Sequence, residues 1–86
     1  MPEISRFLGI VITMYFKDHN PPHFHVQYNE HAAQVLIQSL GMLEGSLPPK
    51  VLSLVVEWAS LHRQELLENW EGLRTSGEFK KIEPLV

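Results

Sequence analysis

Apolar and polar positions alternate through the first half of the chain and recur at helical spacing through the second. Residues 9–16 read GIVITMYF, a run rich in β-branched and aromatic side chains that predicts a strand. On it Ile10, Ile12, Met14 and Phe16 share one face, and Val11, Thr13 and Tyr15 the other. The segment that follows, Lys17-Asp18-His19-Asn20-Pro21-Pro22, ends that strand, because two prolines lack the N–H a ladder needs and Asp and Asn favour turns. Residues 23–28 alternate again, with Phe24, Val26 and Tyr28 opposite His23, His25 and Gln27. Asn29-Glu30 suits a tight turn into a third strand over about residues 31–38. Gly41 breaks that strand, and residues 42–44 suit a short fourth.

Gly45-Ser46-Leu47-Pro48-Pro49 reads as a helix entry, with the cap near Ser46 or Leu47 and a proline in the first turn. From there one helix is predicted over about residues 49–73. At about 100° per residue, Val51, Leu52, Val55, Trp58, Ala59, Leu66, Trp70 and Leu73 make one stripe, with Ser53, Glu57, Ser60, Gln64, Glu68 and Glu71 opposite. The tail over residues 79–86 is predicted to return as an edge strand, kept peripheral by Pro84. The expected fold is therefore α+β: a small antiparallel sheet of three to four strands, a β-meander, packed by one long amphipathic C-terminal helix. It forms a single domain over residues 1–86.

Composition narrows the function classes. The chain of 86 residues is 44% hydrophobic and 20% charged, which is ordinary for a folded domain. It has no cysteine, so disulfides and thiolate metal sites are excluded, and a cytoplasmic setting is expected. No leader or membrane-spanning run is visible, so no membrane association is expected. The net charge of −3 counts against a broad nucleic-acid-binding face.

Candidate chemistry gathers in one place. Four of the five histidines lie between residues 19 and 31, three of them within Asp18-His19-Asn20-Pro21-Pro22-His23-Phe24-His25. Two apart on a strand, His23 and His25 project from one face with Cα atoms about 6–7 Å apart. It is the face that lacks the aromatic and branched residues. The double proline stiffens the approach and holds Asp18 and His19 beside them. Two kinds of chemistry fit. Imidazoles and Asp18 can bind a transition metal, most simply zinc, through His19, His23, His25 and Asp18, with a position left for water. Alternatively the histidines act as general base and acid, since imidazole titrates near neutral pH, with Asp18 orienting one ring. Polar strand faces also carry histidines for purely structural reasons.

His62 falls about 20° from Val55 at the same helical step, in the middle of the apolar stripe, and Asn69 lies two turns further on. If the helix covers the histidine face, His62 reaches the cluster; otherwise it is a core histidine. Glu44 is a further acidic candidate. Trp58 and Trp70 read as packing residues. Arg63, Arg74, Lys80 and Lys81 make a modest basic end. The chain has no phosphate-binding glycine loop, serine elbow or His-Glu-x-x-His motif.

The stretches Met1 to Ile10, Met14-Tyr15-Phe16, Asp18 to Val26, Glu57-Trp58-Ala59 through Trp70, and Ile82 to Leu85 resemble a small bacterial family, the domain of unknown function numbered 4160. The resemblance covers essentially the whole chain, and the Asp-His-x-Pro-Pro-His-Phe-His core is distinctive; Gly41-Met42-Leu43 lies in a variable stretch. Members are typically encoded beside a second small protein, in an arrangement similar to toxin–antitoxin pairs. The resemblance thus implies a toxin-like chain neutralised by a cognate antitoxin-like partner. By analogy with small α+β toxins that cleave RNA without metal, it makes Asp18, His19, His23 and His25 the active-site candidates. On that reading His23 and His25 serve as acid and base, and Arg6, Lys17 and Arg63 hold phosphate. The alternatives are a non-catalytic interaction module of the same two-gene system and a transition-metal-binding domain.

Overall fold

The computed structural model describes residues 2–86; Met1, quoted in the resemblance, lies outside them. Five strands follow one another: β1 Glu3–Phe7, β2 Ile10–Thr13, β3 His23–Tyr28, β4 His31–Leu36 and β5 Met42–Gly45. They form one antiparallel sheet in the order β1-β2-β3-β4-β5. Two helices, α1 Pro49–Leu61 and α2 Arg63–Thr75, come after the sheet. The α+β meander is as expected, but the sheet has a fifth strand and the helix is divided.

The additional strand is β1. Its EISRF sequence carries a serine and an arginine, so alternation is weak, and the turn after it breaks the predicted run at residue 9. Leu8 and Gly9 both take positive φ, 51° and 78°, which makes the tight two-residue link that pairs Phe7 with Ile10. Asn29, with φ 52°, closes the β3–β4 hairpin in the same left-handed region, where asparagine is tolerated.

Alternation divides the sheet into two faces. Ile10, Ile12, Phe24, Val26, Ala33 and Val35 are buried on the face that meets the helices. Trp58 of α1 anchors this core, its ring 5.7 Å from Phe7 and 6.0 Å from Phe24. Each fully buried large apolar side chain contributes about 1.5–3 kcal/mol. The other face is open. Across it Thr13, His25, Gln34 and Glu44 are successive register partners on β2 to β5, so they form one transverse row, and they line a groove of about 350 Å³ together with Val11, Tyr15 and Gln27.

The predicted single helix is interrupted at His62, whose φ of −129° and ψ of 24° leave the helical region. Its N–H closes a tight turn onto Ala59, and Leu66 restarts the ladder on the His62 carbonyl. The stripe keeps its phase across the break: α1 buries Val51, Val55, Trp58 and Ala59 while α2 buries Leu66, Asn69, Trp70 and Leu73. Pro48 rather than Ser46 or Leu47 stands at the cap, with Pro49 in the first turn. Gly77, at φ 82°, ends α2 with its N–H on the Gly72 carbonyl.

The tail is not a strand but a strap along β1. Ile82 N–H donates to the Ile4 carbonyl, Asn69 clamps the backbone of Lys80 through both its amide atoms at 2.8 Å, and Trp58 Nε1 donates to the Glu83 carbonyl. Pro84 and the irregular path prevent a full ladder. Among the described residues no helix is long and apolar enough to cross a membrane.

Candidate functional site

The loop between β2 and β3 carries Asp18 back over the start of β3. Lys17 takes φ 52°, and its N–H reaches the carbonyl of Leu73 at the end of α2, so the loop is tied to the helix layer. The Asn20–Pro21 peptide is cis. At the sheet margin Ile37 N–H donates to the Pro22 carbonyl, which sets the position from which β3 starts.

These ties place the Asp18 carboxylate among three imidazoles. Oδ2 lies 3.0 Å from His23 Nε2 and 3.2 Å from His25 Nε2. Oδ1 lies 3.1 Å from His19 Nδ1 and accepts the His19 backbone N–H at 2.9 Å. Ring centres are 5.1 Å apart for His23 and His25 and 5.7 Å for His19 and His23. The expected grouping of Asp18, His19, His23 and His25 is what the fold assembles.

The three rings differ in access. The His23 side chain has no exposed surface, that of His25 is 18% exposed and that of His19 81%. His23 is therefore an interior group despite lying on the open face. The ring sits where β3 begins, and Trp70 of α2 packs over it at a centroid distance of 5.2 Å. A substrate approaching from solvent meets His19 and His25, not the pair His23 and His25.

Hydrogen-bond chemistry fixes one tautomer. His23 Nδ1 is 2.7 Å from the Pro21 carbonyl oxygen, which only accepts, so Nδ1 carries the hydrogen. Its Nε2 has no aligned hydrogen-bond partner among the described residues, although Oδ2 is near. The bond between His25 Nε2 and Oδ2 is aligned. Burial pushes the Asp18 carboxyl up, but the hydrogen bonds from His25 and the His19 backbone, with charge on His23 and His25, outweigh it and hold the carboxyl below its ordinary range.

Asp18 Oδ2, His23 Nε2 and His25 Nε2 all lie within 4.8 Å of one another, a set able to hold a metal ion; His19 is not among these converging donors. His62 stays away from the cluster. It pairs with Glu65 at 2.5 Å and lies 5.6 Å from Trp58, on the helix side of the sheet, because α1 and α2 cover the Phe24 face. Glu44 lies in the open-face row with Gln34 between it and His25, so it is a groove residue and not a member of the cluster.

Of the predicted phosphate-binding residues, Lys17 adjoins Asp18 and is exposed. Arg6 pairs in register with Val11, on the open face, and is bridged to Glu3 at 2.8 Å. Arg63 donates to the Gln38 carbonyl, next to the residue bonded to Pro22. Two contributors went unread in the sequence. Tyr15 packs edge-on against His25 at 4.2 Å, a contact that the shared face of Thr13 and Tyr15 and the Thr13–His25 register jointly determine. Trp70, on the apolar stripe of α2, packs on His23 of β3, a contact between elements that helical spacing does not report.

The family described as Domain of unknown function (DUF4160) matches residues 9–71, and the chain belongs to it. No curated protein and no solved structure matches the chain.

Proposed function

We propose that this DUF4160 protein is the toxin-like half of a two-gene pair, acting in the cytoplasm, and that it cleaves RNA at the Asp18 cluster. The observation that carries the reading is that one carboxylate holds two reachable imidazoles, His19 on Oδ1 and His25 on Oδ2. In-line cleavage of RNA needs a proton taken from the 2′-hydroxyl and one delivered to the leaving oxygen, work suited to imidazoles in fixed places. His25, which lines the open-face groove, stands against the reacting phosphate, and exposed His19 carries protons. Asp18 orients both rings, while buried His23 lies beside Oδ2 without touching solvent.

Lys17, next to Asp18 in the chain, is the first cation for an incoming phosphate, with Arg6 on the open face and Arg63 on the Gln38 carbonyl as the others. The toxin-like role is supported by the family resemblance, and the partner it implies is a small antitoxin-like protein.

Expression in bacteria tests the reading. Wild-type chain should arrest growth and the purified protein should cut single-stranded RNA; the double variant His19→Ala/His25→Ala should do neither while keeping its circular dichroism spectrum. Arrest undiminished in that variant would move the assignment to a non-catalytic interaction module.

A further inference from the structure

We infer that Asp18, His23 and His25 form a binding site for one divalent transition-metal ion of the zinc class. His23 is the ligand the fold prepares first. Its Nδ1–H is committed to the Pro21 carbonyl at 2.7 Å, so in the neutral ring Nε2 is a bare lone pair. That lone pair stands 3.0 Å from a carboxylate oxygen, inside a side chain with no exposed surface, and has no hydrogen-bond partner among the described residues. The lone pair is not aligned on that oxygen, and two electron-rich atoms this close in the interior repel, a cost that a cation bound by both removes.

The rest of the site suits that cation. On a tetrahedral ion with bonds of about 2.0–2.1 Å, donor atoms stand roughly 3.3 Å apart. Asp18 Oδ2 is 3.0 Å from one histidine nitrogen and 3.2 Å from the other, and the whole set lies within 4.8 Å, so small side-chain rotations close it. A histidine ligand that gives its second nitrogen to a backbone carbonyl is the usual outer-shell arrangement, since it fixes the tautomer and the ring plane. Pro21 does this for His23. Trp70 at 5.2 Å and Tyr15 at 4.2 Å wall the two rings with aromatic surface. Imidazole and carboxylate donors select zinc, iron, cobalt or nickel over calcium and magnesium, which prefer all-oxygen sets.

Three protein donors leave a coordination position open, the arrangement of reactive rather than purely structural zinc sites, and one of the donors, His25, lines the groove. A bound ion there supplies positive charge for a phosphate oxygen and acidifies a water it holds. Proton transfer then falls to His19, which is outside the ligand set. The chemical use of the ion rests on the reading in the preceding subsection; the binding itself does not.

The alternative occupant of the gap is a proton, making His23 an imidazolium paired with Asp18. Titration of the untagged, chelator-stripped chain with Zn²⁺ by calorimetry, and with Co²⁺ by visible absorption, separates the two. One ion per chain is expected, with affinity reduced roughly 100-fold or more in Asp18→Asn and in His25→Ala, beyond the loss expected of an outer-shell change. His25 is partly exposed, so its variant keeps the fold if His23→Ala does not. His31→Ala and His62→Ala should bind as wild type. Absence of stoichiometric binding by the wild-type chain, or binding unchanged in Asp18→Asn and His25→Ala, overturns the inference. Binding that meets every expectation, in a protein whose loaded form cuts no RNA, upholds the site and removes the nuclease reading. Cleavage by a chain that binds no ion does the reverse.

Discussion

The indole of Trp70 lies against the imidazole of His23, ring centres 5.2 Å apart, so the helix layer and the histidine cluster share one packed contact. Truncating Trp70→Ala removes that wall and leaves a cavity under His23, with an expected loss of about 3–5 kcal/mol. The Trp70 Nε1 has no hydrogen-bond partner among the described residues, so Trp70→Phe gives up no hydrogen bond, keeps an aromatic ring against His23 and should cost well under the loss in Trp70→Ala. Urea unfolding of the two variants measures the difference.

The reachable rings should dominate activity. His25→Ala is expected to lower RNA cleavage by about 100- to 10,000-fold, the range for loss of a positioned proton-handling or charge-stabilising imidazole. His62→Ala should leave the rate within about twofold, because His62 pairs with Glu65 on the far side of the sheet. A rate assay on both variants, with folding checked by circular dichroism, decides this. Comparable losses in the two would mean that His62 acts at the site after all.

Acid should weaken the protein through Asp18. Its carboxyl titrates below the ordinary range in the folded chain, so the folded state binds that proton less readily than the unfolded state. The stabilisation is fully present above the unfolded aspartate value of about 3.9. It is lost as pH falls through the lower folded value. With chelator present, the urea midpoint of wild type should exceed that of Asp18→Asn at pH 6, and the gap should narrow on going to pH 3. A gap that stays constant would show that Asp18 keeps its proton affinity on folding.

Gly72 should resist replacement although it lies inside α2. A Cβ there would stand 2.2 Å from the Glu78 carbonyl oxygen, where the tail turns back over the helix. Gly72→Ala gains up to about 1 kcal/mol in helix propensity but must displace backbone, at about 1–3 kcal/mol. Net destabilisation, seen as a lower thermal midpoint, is expected.

The amino-acid sequence alone determined the meander from β2 to β5, its two faces and the placing of His23 and His25 on the side away from Phe24 and Val26, because strand alternation has a period of two wherever the backbone is extended. It also determined that Asp18 and His19 lie close by, since few residues and two prolines separate them from β3. Tertiary structure decided the rest. The break at His62 takes one residue out of the helical region while the buried positions on either side keep their phase, so an unbroken 100° stripe does not reveal it. β1 has too little alternation to declare itself and is held by pairing with β2 and by the tail. The burial of His23 depends on Trp70, 47 positions away in sequence, and no local pattern reports a contact at that separation. For the same reason Tyr15, and not His62, is the aromatic-side neighbour of His25: side-chain proximity across elements is set by packing, while periodicity sets only which way each side chain leaves its own backbone.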